Sequence, residues 1–300
     1  MSLDHFYPNI HLAERKDMRN PMRACYLSVS VVIALLVPIM FVCSLHALDD
    51  DGKKDEVREQ QLKNMKRSAA QHVLSPADDR KRLFKIQENA AMRWSNPIVG
   101  VKDGAIYVWS DRGRPQAIIK LYTFDNELFS HEWQSLSEST IIAEREGKIV
   151  WSPSEPGIAF RELTDAPKPA ESAAERLRQM KTLAGKFSST YTPIPKEAKP
   201  FELRLLIQPL FRYEASDDKQ CLDGAIFAFS NGTDPQGLLL FEARKSGESY
   251  RYYYAFAKMA SGAVIAKYGD KEIYTAEKYD FSRDPKKTFL LLPKQPVPKE

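Results

Sequence analysis

Residues 103–120 read DGAIYVWSDRGRPQAIIK and residues 223–240 read DGAIFAFSNGTDPQGLLL. Laid side by side at an offset of 120, with no gap, they share seven identities (Asp, Gly, Ala, Ile, Ser, Pro and Gln). Tyr107/Phe227, Trp109/Phe229, Asp111/Asn231 and Ile118/Leu238 are conservative exchanges. The alternation of apolar and aromatic residues is that of a strand, and Gly with Pro provides the chemistry of a hairpin loop before the next strand. Asp before Gly reads as a turn into the strand. The likeness continues loosely, Ile142-Ala143 with Ile265-Ala266 and 147–151 with 269–274. A period near 120 residues is too long for a solenoid and points to a tandem duplication.

Outward from these segments the alternating pattern recurs. It marks 128–136, 139–145 and 148–151 in the first part, and 201–213, 249–258, 263–268 and 271–275 in the second. Each group reads as an antiparallel meander. Helical signals precede each one. Ser75, Pro76 and Asp78 are start signals for a helix with Leu83, Ile86, Ala90 and Trp94 on one side. Ser172 and Glu175 form a capping box before Leu177, Met180, Leu183, Ala184 and Phe187. The expected fold is therefore α+β, a duplicated unit of one helix plus a β-meander. Its first half spans 75–160 and its second 161–290, with 291–300 as a flexible tail.

The N-terminal quarter is different. Ala24 to Leu45 is 22 residues without a charge, enough to cross a hydrocarbon core of roughly 30 Å. Arg15, Lys16, Arg19 and Arg23 precede it and Asp49, Asp50 and Asp51 follow, so residues 1–23 are expected in the cytoplasm and everything after residue 48 outside. The segment 24–47 reads either as a retained single-pass anchor or as a secretory signal peptide, the latter most simply if translation starts at Met22. Residues 48–74 are strong helix formers with mixed charges and a thin apolar stripe at Leu62, Met65, Ala69 and Val73, expected as a solvated helical stalk.

Composition sets limits on function. The 300 residues are 43% hydrophobic and 28% charged with a net charge of +4, too balanced for a nucleic-acid footprint. Cys25 and Cys43 lie in the apolar segment, so Cys221 has no partner for a disulfide in the exported part. No metal-ligand spacing, phosphate loop, nucleophile elbow or cofactor fingerprint is present, and no cofactor is expected. The candidates for function are His131, Asp103, Arg112, Tyr252 and Tyr254. His131 and Glu132 are strand neighbours that point to opposite faces. Asp103 and Asp223 could act as paired carboxylates, although a turn role is the simpler reading. Tyr250, Tyr252, Tyr254 and Phe256 share one strand face, which either lines the core or forms a row for a glycan or a partner protein.

The stretches Arg93-Trp94-Ser95-Asn96-Pro97, Trp151-Ser152-Pro153, 176–180 (RLRQM), Gln208-Pro209-Leu210 and Gly232-Thr233-Asp234-Pro235 resemble a family of exported proteins from planctomycete bacteria. The resemblance spans roughly residues 80–275. It implies export and a bacterial envelope setting, and brings no catalytic residues with it. The expected function is a non-enzymatic binding or structural module, anchored to the membrane by the N-terminal helix if that is uncleaved, with an envelope protein or glycan as partner. The alternative is a small-molecule-binding or hydrolytic domain with a pocket between helix and curved sheet, similar to NTF2-like domains. Convergence of His131, Asp103 or Arg112 on a deep cavity would favour that alternative.

Overall fold

The computed structural model describes residues 55–125, 127–194, 197–214 and 220–298. The apolar segment 24–47, its flanks and the cleavage question lie outside these residues. No helix among the described residues is long and apolar enough to cross a membrane. The described residues form one compact unit.

Two series of elements follow each other in the same order. The first is α1 (55–70), β1 (His72–Pro76), β2 (Lys85–Ile86), β3 (Met92–Asn96), β4 (Val101–Asp111), β5 (Arg114–Thr123), β6 (Leu128–Ser135), β7 (Ile141–Arg145), β8 (Lys148–Trp151) and β9 (Arg161–Glu162). The second is α2 (Ala173–Ala184), β10 (Phe187–Thr192), β11 (Phe201–Glu202), β12 (Arg204–Tyr213), β13 (Cys221–Asn231), β14 (Asp234–Ser246), β15 (Ser249–Lys258), β16 (Ala263–Tyr268), β17 (Lys271–Ala276) and β18 (Phe289–Pro296). Each half has a small sheet, β1-β7-β8 or β11-β10-β16-β17, and a large one. The large sheets run β18-β6-β5-β4-β2, with β3 also on β4, and β12-β13-β14-β15-β9. The last strand of each series crosses over: β9 pairs with β15, and β18 pairs with β6.

The expected α+β class is overturned, because strand makes up 53% against 13% helix. The start signals at Ser75 and Pro76 do not open a helix. Ser75 pairs with Ile142 and Pro76 with Ile141 at the end of edge strand β1, a place where proline's missing N–H is tolerated. The helix of the first half lies earlier, at 55–70, and is no solvated stalk. Met65 and Ala69 are fully buried in the first core with Leu62 against them, so the thin stripe is the core-facing side of a packed helix. The expected tail is also corrected. Residues 291–296 belong to β18, whose Leu290 is buried and whose Pro293 and Pro296 are accommodated at the sheet edge beside a bulge.

Alternation in the central hairpins builds three cores. Ala105, Tyr107, Trp109, Ala117 and Ile119 face α1 and the first small sheet, while Ala225, Phe227, Phe229, Leu239 and Phe241 face α2 and the second. The opposite faces, Ile106, Val108 and Ile118 against Ile226, Ala228, Leu238 and Leu240, form a third core where the two large sheets lie back to back. Both faces of β4, β5, β13 and β14 are thus buried, which explains near-continuous apolar runs in antiparallel strands.

The Asp-Gly pairs lie inside strands β4 and β13 and are not turns. Asp103 takes a two-pronged contact from Arg93, Nε to Oδ1 at 3.0 Å and Nη2 to Oδ2 at 2.7 Å. Arg93 also donates to the Arg58 carbonyl of α1. In the second half Arg212 holds Asp223 the same way, at 3.2 and 2.8 Å, and donates to the Ala173 carbonyl of α2. The neighbouring aromatic, Trp94 or Tyr213, lies across the following glycine: a Cβ on Gly104 would come within 2.5 Å of Trp94, and one on Gly224 within 2.3 Å of Tyr213. Asp ties helix to sheet through arginine, and Gly makes room for the ring.

Gly104→Ala and Gly224→Ala are expected to cost about 1–3 kcal/mol each by overpacking. Urea denaturation is the measure, and a double-mutant cycle of Gly104→Ala with Trp94→Leu should show strong non-additivity.

Candidate functional site

The sequence candidates do not meet in one place. Asp103 is consumed by Arg93. Arg112 is exposed at the β4–β5 turn, where it and Gly113 both take positive φ (49° and 86°) as a two-residue hairpin of the primed type requires. Tyr252 and Tyr254 are core residues of the second half: the Tyr252 hydroxyl donates to Gln179 Oε1 at 2.8 Å on α2, and Tyr254 packs edge-on against Phe187. The tyrosine face therefore lines a core and does not form an exposed glycan row.

His131 is fully buried in the first core. Its Nδ1 lies 3.1 Å from the Phe129 carbonyl, which can only accept, so Nδ1 carries the proton and Nε2 accepts from the Ser68 hydroxyl at 2.9 Å. Beside it, His72 Nδ1 donates to the Ser68 and Ala69 carbonyls at 3.1 and 3.3 Å, and its ring meets Trp133 edge-on. Burial pulls the His131 imidazole down to about 3 and that of His72 to about 4. A hydroxyl held on an imidazole nitrogen has the outline of a nucleophile and its base. Here it is sealed: Ser68 is 1% exposed, and so weak a base takes no proton near neutrality. The pair joins α1 to β6. Cys221 is likewise buried, its thiol pushed up to about 12 by burial, and is inert.

The spaces between helix and sheet, where an NTF2-like pocket would lie, hold the aromatic cores of the two halves. A cavity of about 230 Å³ opens instead at the edge of the third core. Its walls are the β4–β5 hairpin (Asp111, Arg114–Gln116), the β6–β7 loop (Leu136–Ser139), Arg82 and Phe160, closed by Leu240 and Glu242 of β14. Glu242 is buried and saturated. It accepts from Tyr213 Oη at 2.7 Å, from Arg114 at 3.1 and 2.9 Å and from Arg244 at 2.6 Å. Both arginines also hold Glu138, at 3.1 Å from Arg114 and at 3.0 and 2.6 Å from Arg244. Burial opposes the charge on Glu138, but these contacts outweigh it and keep the carboxyl below its ordinary range. Arg244 stacks on Phe160 at 3.7 Å. A second cavity, about 70 Å³, lies by Leu163 and Tyr252.

A second buried ion cluster lies elsewhere along the seam between the large sheets. Lys120 Nζ reaches Glu132 Oε2 at 2.8 Å, Asp234 Oδ1 at 2.9 Å, and the carbonyls of Pro235 and Met259 at 3.2 and 2.9 Å. Burial works against the Lys120 ammonium, yet Asp234 and Glu132 hold it above the ordinary lysine value. Sequence reading missed both clusters, although a signal was present. In the aligned segments Lys120 stands opposite Leu240, a charge where the matching strand is apolar.

Among the described residues no group of three or more His, Cys, Asp or Glu is placed to hold a metal ion. No protein-family model, no curated protein and no solved structure matches the chain.

The buried imidazoles predict a specific acid sensitivity. Both are neutral in the folded chain and gain protons near 6.5 when unfolded, so their contribution is complete above pH 6.5 and is lost as pH falls toward 4 and 3. At pH 5 the loss is about 2 kcal/mol per imidazole. Urea midpoints at pH 7 and pH 5 should converge in His131→Gln and His72→Phe relative to the parent. An unchanged pH difference in both variants would show that the two imidazoles do not cause the acid sensitivity.

Proposed function

We propose that the chain is a non-enzymatic binding or structural module held outside the cytoplasm, by a retained N-terminal anchor or after signal cleavage. The observation that carries this reading is that the chemistry-bearing side chains are consumed by one another. Asp103 and Asp223 hold arginines that tie helix to sheet, Ser68 and His131 close a buried joint, and Glu242 is filled by two arginines and a tyrosine. Such groups stiffen a scaffold, each spent on a structural contact among the described residues. The charge-free run 24–45 with basic residues before it and acidic ones after supports the topology. The resemblance to exported planctomycete proteins is consistent with an envelope partner, either protein or glycan.

Alkaline phosphatase fused after residue 300 is expected to be active in cells while green fluorescent protein at the same place stays dark, and the reverse pattern would overturn the topology. Cross-linking and capture of the full chain from native envelopes is expected to return a recurring partner. Its repeated absence would leave only the structural half of the reading.

A further inference from the structure

Helix α1 and strand β4 run side by side from the same end of the first half. Near that end Arg93, on β3, holds Asp103 of β4 together with Glu59 and the Arg58 carbonyl of α1. One turn further along α1, the Leu62 carbonyl accepts from Tyr107, further along β4, at 3.2 Å. Followed backwards, residues 55–57 of α1 therefore head toward Val101, where β4 begins. The single turn Pro97–Val99, between β3 and β4, lies at that same end, because Asn96 pairs with Val101.

This end is apolar without a structural reason to be so. Ile98 is 94% exposed, and Val99 and Val57 are about half exposed. The turn is closed by its backbone: Pro97 opens it, and Gly100 N donates to the Pro97 carbonyl at 3.1 Å. A polar residue would serve the fold equally well at position 98. Three aliphatic side chains gathered at one end, one of them at the apex of a stiff turn, form a patch that isolated exposed aliphatics do not. The charges near it are balanced, Arg58, Lys102 and Lys294 against Asp55, Glu56 and Glu127, while the Asp125 carboxylate accepts from the Glu127 and Leu128 amides.

The sequence says what lies close to this patch. The charge-free run ends at Leu45, and the nine residues 46–54 that separate it from α1 span at most about 32 Å. We propose that the patch is a second membrane contact, with Ile98 and Val99 dipping into the interfacial layer of a lipid bilayer and Val57 resting on it. The proposal rests on the retained-anchor form of the topology above, and adds that the domain lies against the bilayer instead of swinging free on its tether. Balanced rim charges make the contact one of apolar insertion, so zwitterionic lipid suffices.

The test puts an environment-sensitive NBD label on the full chain, in a Cys25→Ser, Cys43→Ser background that keeps the buried Cys221, with one copy per phosphatidylcholine nanodisc. The label goes at Ile98→Cys and, as comparator, at Leu83→Cys, which is also exposed but lies beside β2 at the other end of β4. At position 98 the label is expected to be quenched by doxyl-labelled lipid and shielded several-fold from iodide, and at position 83 the reverse. A chain retained in the discs with position 98 as open to iodide as position 83 overturns the proposal and leaves the anchor standing. Shielding without quenching by doxyl lipid, or shielding only in vesicles that carry many copies, means that protein covers the patch and also overturns it. A chain that does not stay in the discs contradicts both this contact and the anchor.

Discussion

Strands β4, β5, β13 and β14 are buried on both faces, and the rest of the structure follows from that constraint. Each strand gives alternate residues to its own helix-capped core and the others to the core shared with the other half. Tyr107 and Trp109 face α1 while Ile106 and Val108 face β13 and β14. A strand with no solvated face has no cheap position for a charge, so every polar residue in these hairpins must bring its partner. Asp103 and Asp223 receive arginine from the preceding strand. Lys120 and Glu242 receive partners from the opposite half. The two seam clusters carry opposite arrangements, an ammonium reaching a hairpin Asp234 in one and a carboxylate reaching a hairpin Arg114 in the other. This complementarity favours pairing one half with the other over pairing with a copy of itself.

The strand pattern was legible because a period of two is a local property, and the alternating stretches lie in strands. The helices were only half legible. Ser172 and Glu175 cap α2 as a capping box should, with Glu175 N donating to Ser172 Oγ at 3.3 Å. Ser75 and Pro76 imitate the same signals, but an edge-strand end accepts them equally well. The 55–70 helix was seen and misplaced in role, because a stripe as thin as Leu62, Met65 and Ala69 suits a solvated rod as well as a helix covering part of a sheet.

The roles of Asp103 and Gly104 were not legible because they depend on a neighbour ten residues upstream. Asp-Gly is turn chemistry by local rules. Only the arrival of Arg93 and Trp94 on β3 makes it a mid-strand socket, the acid on one face and the missing Cβ on the other. The same is true of His131. In sequence it is a lone imidazole beside a glutamate, whereas in the fold Glu132 turns to the seam and His131 to Ser68, 63 residues away. The seam clusters could have been suspected from the two mismatches in the aligned halves, Lys120 against Leu240 and Tyr122 against Glu242, since a charge opposite an apolar residue in matching strands asks for a partner.

The doubly buried hairpins make the two halves one cooperative unit, a property that native-state hydrogen exchange on the parent and on Leu238→Ala reads out. Leu238 lies in the second half and faces only the shared core, and truncating such a residue costs about 2–5 kcal/mol. In a cooperative unit the amides of β4 and β5 lose protection by the same free energy as those of β13 and β14. Loss confined to the second half, with β4 and β5 unchanged, would contradict it.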